Sequence, residues 1–367
     1  MEEKKDTLGM LDLVIRPGFC VKENQIIKVN QAAESLFITP GTDVRPLLLT
    51  GSEEYAAFTG GCLYLTLSLS SHSCGASVTR VDDIDVFLLE QESDNGELRS
   101  MALAAREAGI RTLYVPAARE LREPLTNVMI TADSLFPLCA AESSPRTAEQ
   151  VARLNRGLFQ ILRIIGNMSD AERCAAVSHQ ETVDIPALFA EFFEKAETLV
   201  SHTGITLTYE GPDQPIYGLA DREQLERAVL NILSNAIKFT PKGGTVTAKL
   251  TRSGRMLRLS VTDSGSGIAQ SVRSSVFSRY LRQPALEDSR YGIGLGMVLI
   301  RTAAAHHGGA VLIDQPEGVG TRITMTMSIR QSKQATLRSN VLRVDYAGER
   351  DHGLIELSEC LPTELYE

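Results

Sequence analysis

The chain has 367 residues, a net charge of −9 and a sequence pI of about 5.4, with 43% hydrophobic and 23% charged residues. That length suits two or three domains with sizeable cores. The acidic balance and the lack of a basic tract argue against nucleic acid as a partner. No run of about 18 apolar residues is present to span a bilayer. The six cysteines, Cys20, Cys62, Cys74, Cys139, Cys174 and Cys360, form no Cys-x-x-Cys pair and no metal-ligand spacing, which fits reduced thiols in a cytosolic protein. The opening MEEKKDTLGM is too polar for a signal peptide, so a cytoplasmic location is expected.

Residues 9–91 read as a small α/β domain. Phe19 to Val21 and Ile26 to Val29 predict two short strands across a tight turn at Glu23-Asn24. Gly61 to Ser70 alternates and predicts a strand, and Val78 and Ile84 to Leu89 predict two more. The phrase Ile26-Ile27-Lys28-Val29-Asn30-Gln31-Ala32-Ala33-Glu34 resembles the start of a PAS domain, where a strand runs through such a segment into a helix. Any small mixed α/β module is the alternative.

Residues 94–178 read as helical, with Pro116 interrupting the entry. In 119–136 the apolar positions are Leu121, Leu125, Val128, Ala132 and Leu135. In 149–169 they are Val151, Leu154, Leu158, Ile161, Ile165 and Met168. Alternating spacings of three and four are the stripe of bundled helices. Pro137 and the 140–145 segment separate the two into an antiparallel hairpin. One hairpin cannot bury both stripes, so a homodimeric four-helix bundle is expected. Helices and strands mix over 181–330, a polar link covers 331–338, and a tail completes 331–367. In that tail 340–346 reads as a strand and Asp351 as the cap of a last helical turn.

Three short boxes lie between Leu225 and Thr321. On a helix over 222–239, about 100° per residue places Asn231, Asn235 and Lys238 on one side, within about 60° of each other. Leu225, Val229, Ile232, Leu233 and Ala236 fall opposite. An Asn oxygen can ligate Mg²⁺ and Lys238 can neutralise phosphate, although such a face is equally a solvated helix surface. A predicted strand, Leu257 to Thr262, then runs into Asp263-Ser264-Gly265-Ser266-Gly267. A carboxylate there can accept from the exocyclic amine of adenine, where GTP would present a carbonyl. On its own the box is also an ordinary Asp-Gly turn. Gly292-Ile293-Gly294-Leu295-Gly296 opens a helix reaching about His306, suited to cradling phosphate on backbone N–H groups. Before it lies a polar stretch, Gln283 to Tyr291, sized for a lid, with Phe277 at its base and Arg282 and Arg290 in reach of phosphate. Gly318-Val319-Gly320-Thr321 precedes an alternating strand, Arg322 to Ile329.

The ordered set N-I-L-S-N-A-I-K-F-T-P, V-T-D-S-G-S-G-I, V-F-S-R-Y, Y-G-I-G-L-G-M, H-H-G-G and G-V-G-T resembles the ATP-binding domain of sensor histidine kinases. That superfamily also holds DNA gyrase, Hsp90 and MutL. The likeness spans about 220–330, and the hairpin before it sits where the family keeps its dimerisation and phosphoacceptor helices. The resemblance implies an α+β multidomain chain. Its parts are an N-terminal PAS-like α/β domain, a hairpin forming a dimeric four-helix bundle, and a C-terminal α/β sandwich of the histidine-kinase ATPase type. It implies ATP and Mg²⁺ as ligands, with Asn231 and Asn235 at Mg²⁺-ATP (Asn235 on the metal), Lys238 at phosphate and Asp263 at the adenine amine. Gly265, Gly267, Gly292, Gly294, Gly296 and Thr321 complete the nucleotide site.

The family's His-Glu-Leu-Arg-Thr-Pro-Leu motif aligns with Arg119-Glu120-Leu121-Arg122-Glu123-Pro124-Leu125. Glu120, the acid/base position, is kept, while Arg119 replaces the acceptor histidine. Imidazole offers a lone pair near neutral pH, whereas guanidinium stays protonated and offers none. Glu123 replaces the Thr or Asn that would position water on a response regulator's phosphoaspartate. None of the six histidines, His72, His179, His202, His306, His307 and His352, lies on the first hairpin helix. His306 and His307 sit at a helix end where a cationic or capping role suffices.

The reading is therefore a cytoplasmic signalling homologue that binds Mg²⁺-ATP and cannot autophosphorylate on its own hairpin. Whether it is an enzyme stays open. Its partners would be a second copy, and a response regulator or a partner histidine kinase. Competing readings are a kinase acting in trans on a partner's histidine and a nucleotide-independent interaction module. A serine kinase of the anti-sigma type would share the pocket but normally lacks the hairpin.

Overall fold

The structure, a computed structural model, describes residues 14–69, 73–90, 145–173, 180–268, 295–316, 320–330 and 350–366, with isolated residues between. Outside the described residues lie the first hairpin helix apart from Leu125 and Val128, Pro116, the polar stretch 283–291 with Arg282 and Arg290, and the expected strand 340–346.

The N-terminal unit opens on a hairpin, β1 (Gly18–Lys22) and β2 (Gln25–Val29). Glu23 and Asn24 turn it with φ of 51° and 64°, the backbone that matches strand twist in a two-residue loop. Asn30 then ends β2 and caps α1 (Gln31–Glu34). Its Oδ1 accepts from Ala33 N and Gly18 N, both at 3.0 Å, and its Nδ2 donates to Val14 O and Arg16 O at 3.1 and 2.8 Å. One buried amide thus fixes the helix start and the entry of β1. After α2 (Ser52–Ala56) come β3 (Cys62–Ser68), β4 (Ser73–Val81) and β5 (Ile84–Leu89).

The remainder begins with α3 (Pro145–Arg173), followed by β6 (Glu181–Asp184), α4 (Ile185–Ser201), β7 (Thr206–Glu210) and β8 (Tyr217–Ala220). Then come α5 (Arg222–Phe239), β9 (Thr245–Ser253), β10 (Met256–Asp263), α6 (Gly296–His306), β11 (Val311–Asp314), β12 (Arg322–Ser328) and α7 (His352–Glu356). Asp351 caps α7, its Oδ1 accepting from Leu354 N at 3.0 Å, as expected. Among the described residues, no helix is long and apolar enough to cross a membrane.

The strands of the N-terminal unit and most of those of the remainder share one sheet. Ten strands run in the order β2-β1-β5-β4-β3-β11-β12-β10-β9-β7, and β6 pairs separately with β8. Only β7 and β9 run parallel among these pairings. The joint is the antiparallel pairing of β3 with β11, Tyr64 opposite Val311 and Cys62 opposite Ile313. Period-two alternation lets β3 serve two cores. Cys62 and Tyr64 join the large core of α4, α5 and α6, while Leu63, Leu65 and Leu67 join the N-terminal core with Phe19, Phe87 and Tyr55. A clasp closes the joint: Tyr64 Oη donates to Glu90 Oε2 at 2.7 Å, the buried Arg301 pairs with Glu90, and its guanidinium lies 4.8 Å from the Tyr64 ring centre.

The alternating stripe of α3 divides in the same way. Leu158 and Ile165 are buried with Leu125 and Ile355, while Leu154 and Ile161 are 55% and 46% exposed.

Gly61 stands at the joint with φ of 90°, and a Cβ there would run into the Ile313 carbonyl oxygen. Gly61→Ala is expected to lower stability in urea by about 2 kcal/mol or more, from positive-φ strain plus a backbone clash. An unchanged midpoint would show that the joint is not closely packed.

Candidate functional site

Helix α5 carries the site. Asp221 caps it, Oδ1 accepting from Gln224 N at 3.2 Å, and Thr240 with Pro241 ends it. Leu225, Val229, Ile232, Leu233 and Ala236 are buried against the sheet and its neighbours, as the periodicity predicts. The opposite stripe runs Arg227, Asn231, Ser234, Lys238, at spacings of four, three and four.

This polar stripe faces protein along most of its length. Asn231 is 1% exposed. Its Nδ2 donates to Arg227 O at 2.9 Å and Glu356 Oε2 at 3.3 Å, and its Oδ1 accepts from Arg163 Nη2 at 3.4 Å. Asn235 is half-buried and turned toward α6, its Nδ2 3.7 Å from Met297 Sδ. Lys238 pairs with Glu359, and Arg163 Nη1 reaches the same Glu359 oxygen at 3.0 Å. Burial, helped by the Arg163 charge, pulls the Lys238 ammonium down to about 8. Glu356 is wholly buried: Arg227 Nε donates to Oε1 at 3.1 Å and Arg163 Nε to Oε2 at 3.3 Å. Arg227 Nη2 also donates to Asn167 Oδ1 at 2.7 Å.

Asp263 ends β10 two strands in from the far edge of the sheet. Its N donates to Thr321 O at 2.9 Å, and its Oδ1 accepts from Gly265 N and Thr321 N at 2.9 and 3.2 Å. Burial pushes this carboxyl up, and the two backbone donors pull it part of the way back. Gly320, at φ of 117°, lets Thr321 approach, since a Cβ there would meet the Asp263 carbonyl oxygen. Gly265 packs under the Phe239 carbonyl, Gly267 lies by Gly320 O and Gln315, and Gly296 opens α6 beside Asn231 Oδ1. Asp263, Gly265, Gly267, Gly320 and Thr321 thus form one cluster, and Asn231, Asn235 and Gly296 another. Arg119, Glu120, Gly292 and Gly294 lie outside the described residues.

Phe277 is buried, its ring centre 5.5 Å from that of Tyr64, and Arg301 Nη1 donates to Phe277 O at 3.0 Å. The base of the expected lid is therefore tied to the N-terminal unit. His307 takes the capping role and not the cationic one, ending α6 as its C-cap. It is buried, Asp221 N donates to its Nε2 at 3.0 Å, and its Nδ1 is 2.7 Å from Ala303 O. A carbonyl can only accept and an amide N–H only donate, so the ring is neutral with the proton on Nδ1. Its role is to lash the end of α6 to the start of α5, not to carry charge.

Sequence reasoning missed Arg163, Arg227, Glu356 and Glu359. Arg227 lies one turn before Asn231 and was within reach of the same periodicity. Glu356 gives no sign of burial in its local sequence. A cleft of about 320 Å³ lies on another flank of α5, lined by Phe192, Leu199, Arg222, Glu226 and His352. It is set apart from the Asp263 cluster, whose chemistry marks the better candidate. Among the described residues, no group of three or more His, Cys, Asp or Glu could hold a metal. Any Mg²⁺ here would rest on amide and phosphate oxygens.

Residues 220–331 match the family model of histidine kinase-, DNA gyrase B- and HSP90-like ATPases. A sensor-like histidine kinase of Rhizobium meliloti is 30% identical over 278 residues, covering 71% of this chain and 53% of that protein. That match runs well beyond the ATPase region. Residues 220–331 are thus an ATPase domain of the histidine-kinase type, and the chain is similar to sensor histidine kinases over a longer stretch. The adaptive-response sensory kinase SasA of Synechocystis is 30% identical over 220 residues, 58% of this chain and 57% of its own length. The structure of full-length ShkA in complex with AMPPNP gives a TM-score of 0.49 at 23% identity, over 60% of this chain and 46% of that one. The chain spans just over half the length of these two curated kinase relatives.

Burial lowers the folded pKa of His307 below its ordinary 6.5. The unfolded chain then binds the extra proton as pH falls, so this contribution to stability is full above 6.5 and lost below it. Thermal midpoints measured from pH 8 to 5 should fall more steeply below 6.5 in wild type than in His307→Gln. Parallel profiles would contradict the neutral assignment.

Proposed function

We propose that the histidine-kinase-type ATPase domain of this chain binds Mg²⁺-ATP, and that the chain does not autophosphorylate on its own hairpin. The observation that carries this is an intact donor set beside a substituted acceptor. Asp263 is fixed by two backbone N–H groups on Oδ1, leaving Oδ2 toward an incoming amine. Glycines at 265, 267 and 320 let the backbone close in around it. Asn235 offers an amide oxygen for Mg²⁺, and Lys238 a cation for phosphate. Asn231 and Gly296 brace the start of α6, where Gly292 and Gly294 would lead in. Bound ATP would supply a γ-phosphoryl group, but Arg119 in the acceptor place has no lone pair to receive it. ATP then acts as a ligand that shifts populations.

The domain scheme extends this reading: a PAS-like sensor at 9–91, a dimerisation hairpin at 94–178, the catalytic domain at 181–330 and a tail at 331–367. Support for the PAS-like part is the strand that runs through Val29-Asn30 into a helix capped by Asn30. Support for a homodimeric four-helix bundle is the apolar face left open at Val128, Leu154 and Ile161, each at least 46% exposed. A response regulator or a partner kinase would be the binding partner, in the cytoplasm. A second reading, a kinase acting in trans on a partner's histidine, is favoured by the same complete donor set.

Titration calorimetry should detect ATP binding in Mg²⁺, weakened about ten- to a hundredfold in Asp263→Asn by loss of a charged hydrogen bond. Incubation with γ-labelled ATP should leave no acid-labile label on the chain alone. Label lost in a His-to-Ala variant would overturn that, and label on an added histidine-bearing partner would favour the second reading. Because burial and Arg163 hold Lys238 at about 8, ATP affinity is expected to fall as pH rises through 8. The slope should approach about tenfold per pH unit and flatten in Lys238→Arg.

A further inference from the structure

The 350–366 segment folds back onto the face of α5 assigned above to nucleotide. Two of its carboxylates take up donors there. Glu359 sits on Lys238, and Glu356 sits between Arg227, Arg163 and Asn231. Cys360 Sγ adds a contact to Ser234 O at 3.4 Å. The segment is held from behind by the hairpin helix α3. Arg156 Nε and Gln160 Nε2 donate to Ser358 O at 2.9 and 3.2 Å, and Asn155 Nδ2 donates to Tyr366 O at 3.1 Å. Tyr366 in turn stacks edge-on against Phe159 at 5.2 Å.

These carboxylates bond as phosphate oxygens would. Each accepts from guanidinium, ammonium or amide donors, Glu356 wholly buried and Glu359 partly so. A phosphate chain and Glu359 cannot both neutralise Lys238. Nor can Asn231 turn its amide to a metal–phosphate group while donating to Glu356. We propose that the 350–366 segment is an acidic internal ligand that competes with Mg²⁺-ATP, so that nucleotide binding releases it and loosens α3 from the ATPase domain. This rests on the nucleotide reading given above. Its consequence is a direct route from the nucleotide to the hairpin that needs no phosphoryl transfer. Arg163, on the hairpin helix, would then be freed from Glu359 as Lys238 engages phosphate.

The test uses the full chain. Glu359→Lys removes the partly exposed carboxylate and repels Lys238, while leaving the buried Glu356 in place. ATP affinity in Mg²⁺ should rise about tenfold in this variant, the scale of one lost competing ion pair. In wild type, saturating ATP with Mg²⁺ should speed amide hydrogen exchange across 350–366 and in α3. Equal or weaker affinity in Glu359→Lys, with exchange in 350–366 unchanged by ATP, would overturn the competition and leave nucleotide binding standing. No ATP binding by either protein would remove the nucleotide reading and the competition with it.

Discussion

A carboxylate with no solvent contact, Glu356, holds three separate stretches of the chain in register. Its partners come from α3 through Arg163 and from α5 through Arg227 and Asn231. Burying a charge is costly unless donors replace the lost water, and these donors do so. The same arithmetic means that the triad adds little net stability over an apolar filling of equal volume. Removing one member, by contrast, leaves a buried charge without its counter-charge. What the triad supplies is position. The attachment itself comes from Ile355, Leu357, Leu361 and Tyr366, all buried against α3, α4 and α5. A competing anion would act first on this alignment, at Lys238 and Arg163, and through it weaken the hold of α3 on the segment.

The second constraint is the single sheet. With β3 paired to β11, the N-terminal unit is continuous with the strands that present Asp263 and Thr321. The sheet therefore joins this unit to the Asp263 cluster by a path that does not involve α3. The clasp of Tyr64, Glu90 and Arg301 strengthens this link, since Arg301 also holds the backbone of Phe277 at the base of the lid segment. Arg301 lies on α6, the helix that Gly296 opens. One guanidinium on α6 therefore joins Tyr64 and Glu90 of the N-terminal unit to the backbone at Phe277. On the proposed reading, an input at residues 18–90 would reach the ATPase domain through these few side chains, the kind of contact that coupling between two sites requires.

Much of this was legible in the sequence. The span of α5 follows from its apolar spacing and from Asp221 and Pro241 at its ends. The turn at Glu23-Asn24, the Asn30 cap and the Asp263 turn follow from local chemistry. So does the Asp351 cap. These features depend on neighbours within a few residues, which periodicity and capping rules read directly. The β3–β11 joint was not legible, because an alternating strand such as CLYLTLS reads the same at a sheet edge as in its interior. Only Gly61, whose φ and close approach to Ile313 make the pairing possible, marks the place, and a glycine before a strand is too common to be a sign. The burial of Glu356 was equally hidden. Its partners lie 129 and 193 residues away in sequence. The neutral state of His307 was hidden for the same reason: what fixes its tautomer is a backbone amide 86 residues distant.

With Arg119 in the acceptor place, as proposed, these contacts would gain a purpose of their own. Where an acceptor histidine is present, nucleotide binding is a step toward transfer, and any energy of closure is spent on reaching it. Where the acceptor is a guanidinium, the only work ATP can do on the chain is through its differential affinity for two arrangements. Linkage then binds both directions equally: whatever factor the nucleotide changes in the attachment of 350–366, that attachment changes in the affinity for nucleotide. The exposed face of Leu154 and Ile161 lies on the same helix as Arg156 and Arg163. A second copy docking on that face would bear on the set of the helix, and so on how firmly the segment is clamped. On the proposed reading, dimerisation, nucleotide and the 350–366 segment would be three ligands of one helix, each shifting the apparent affinities of the other two.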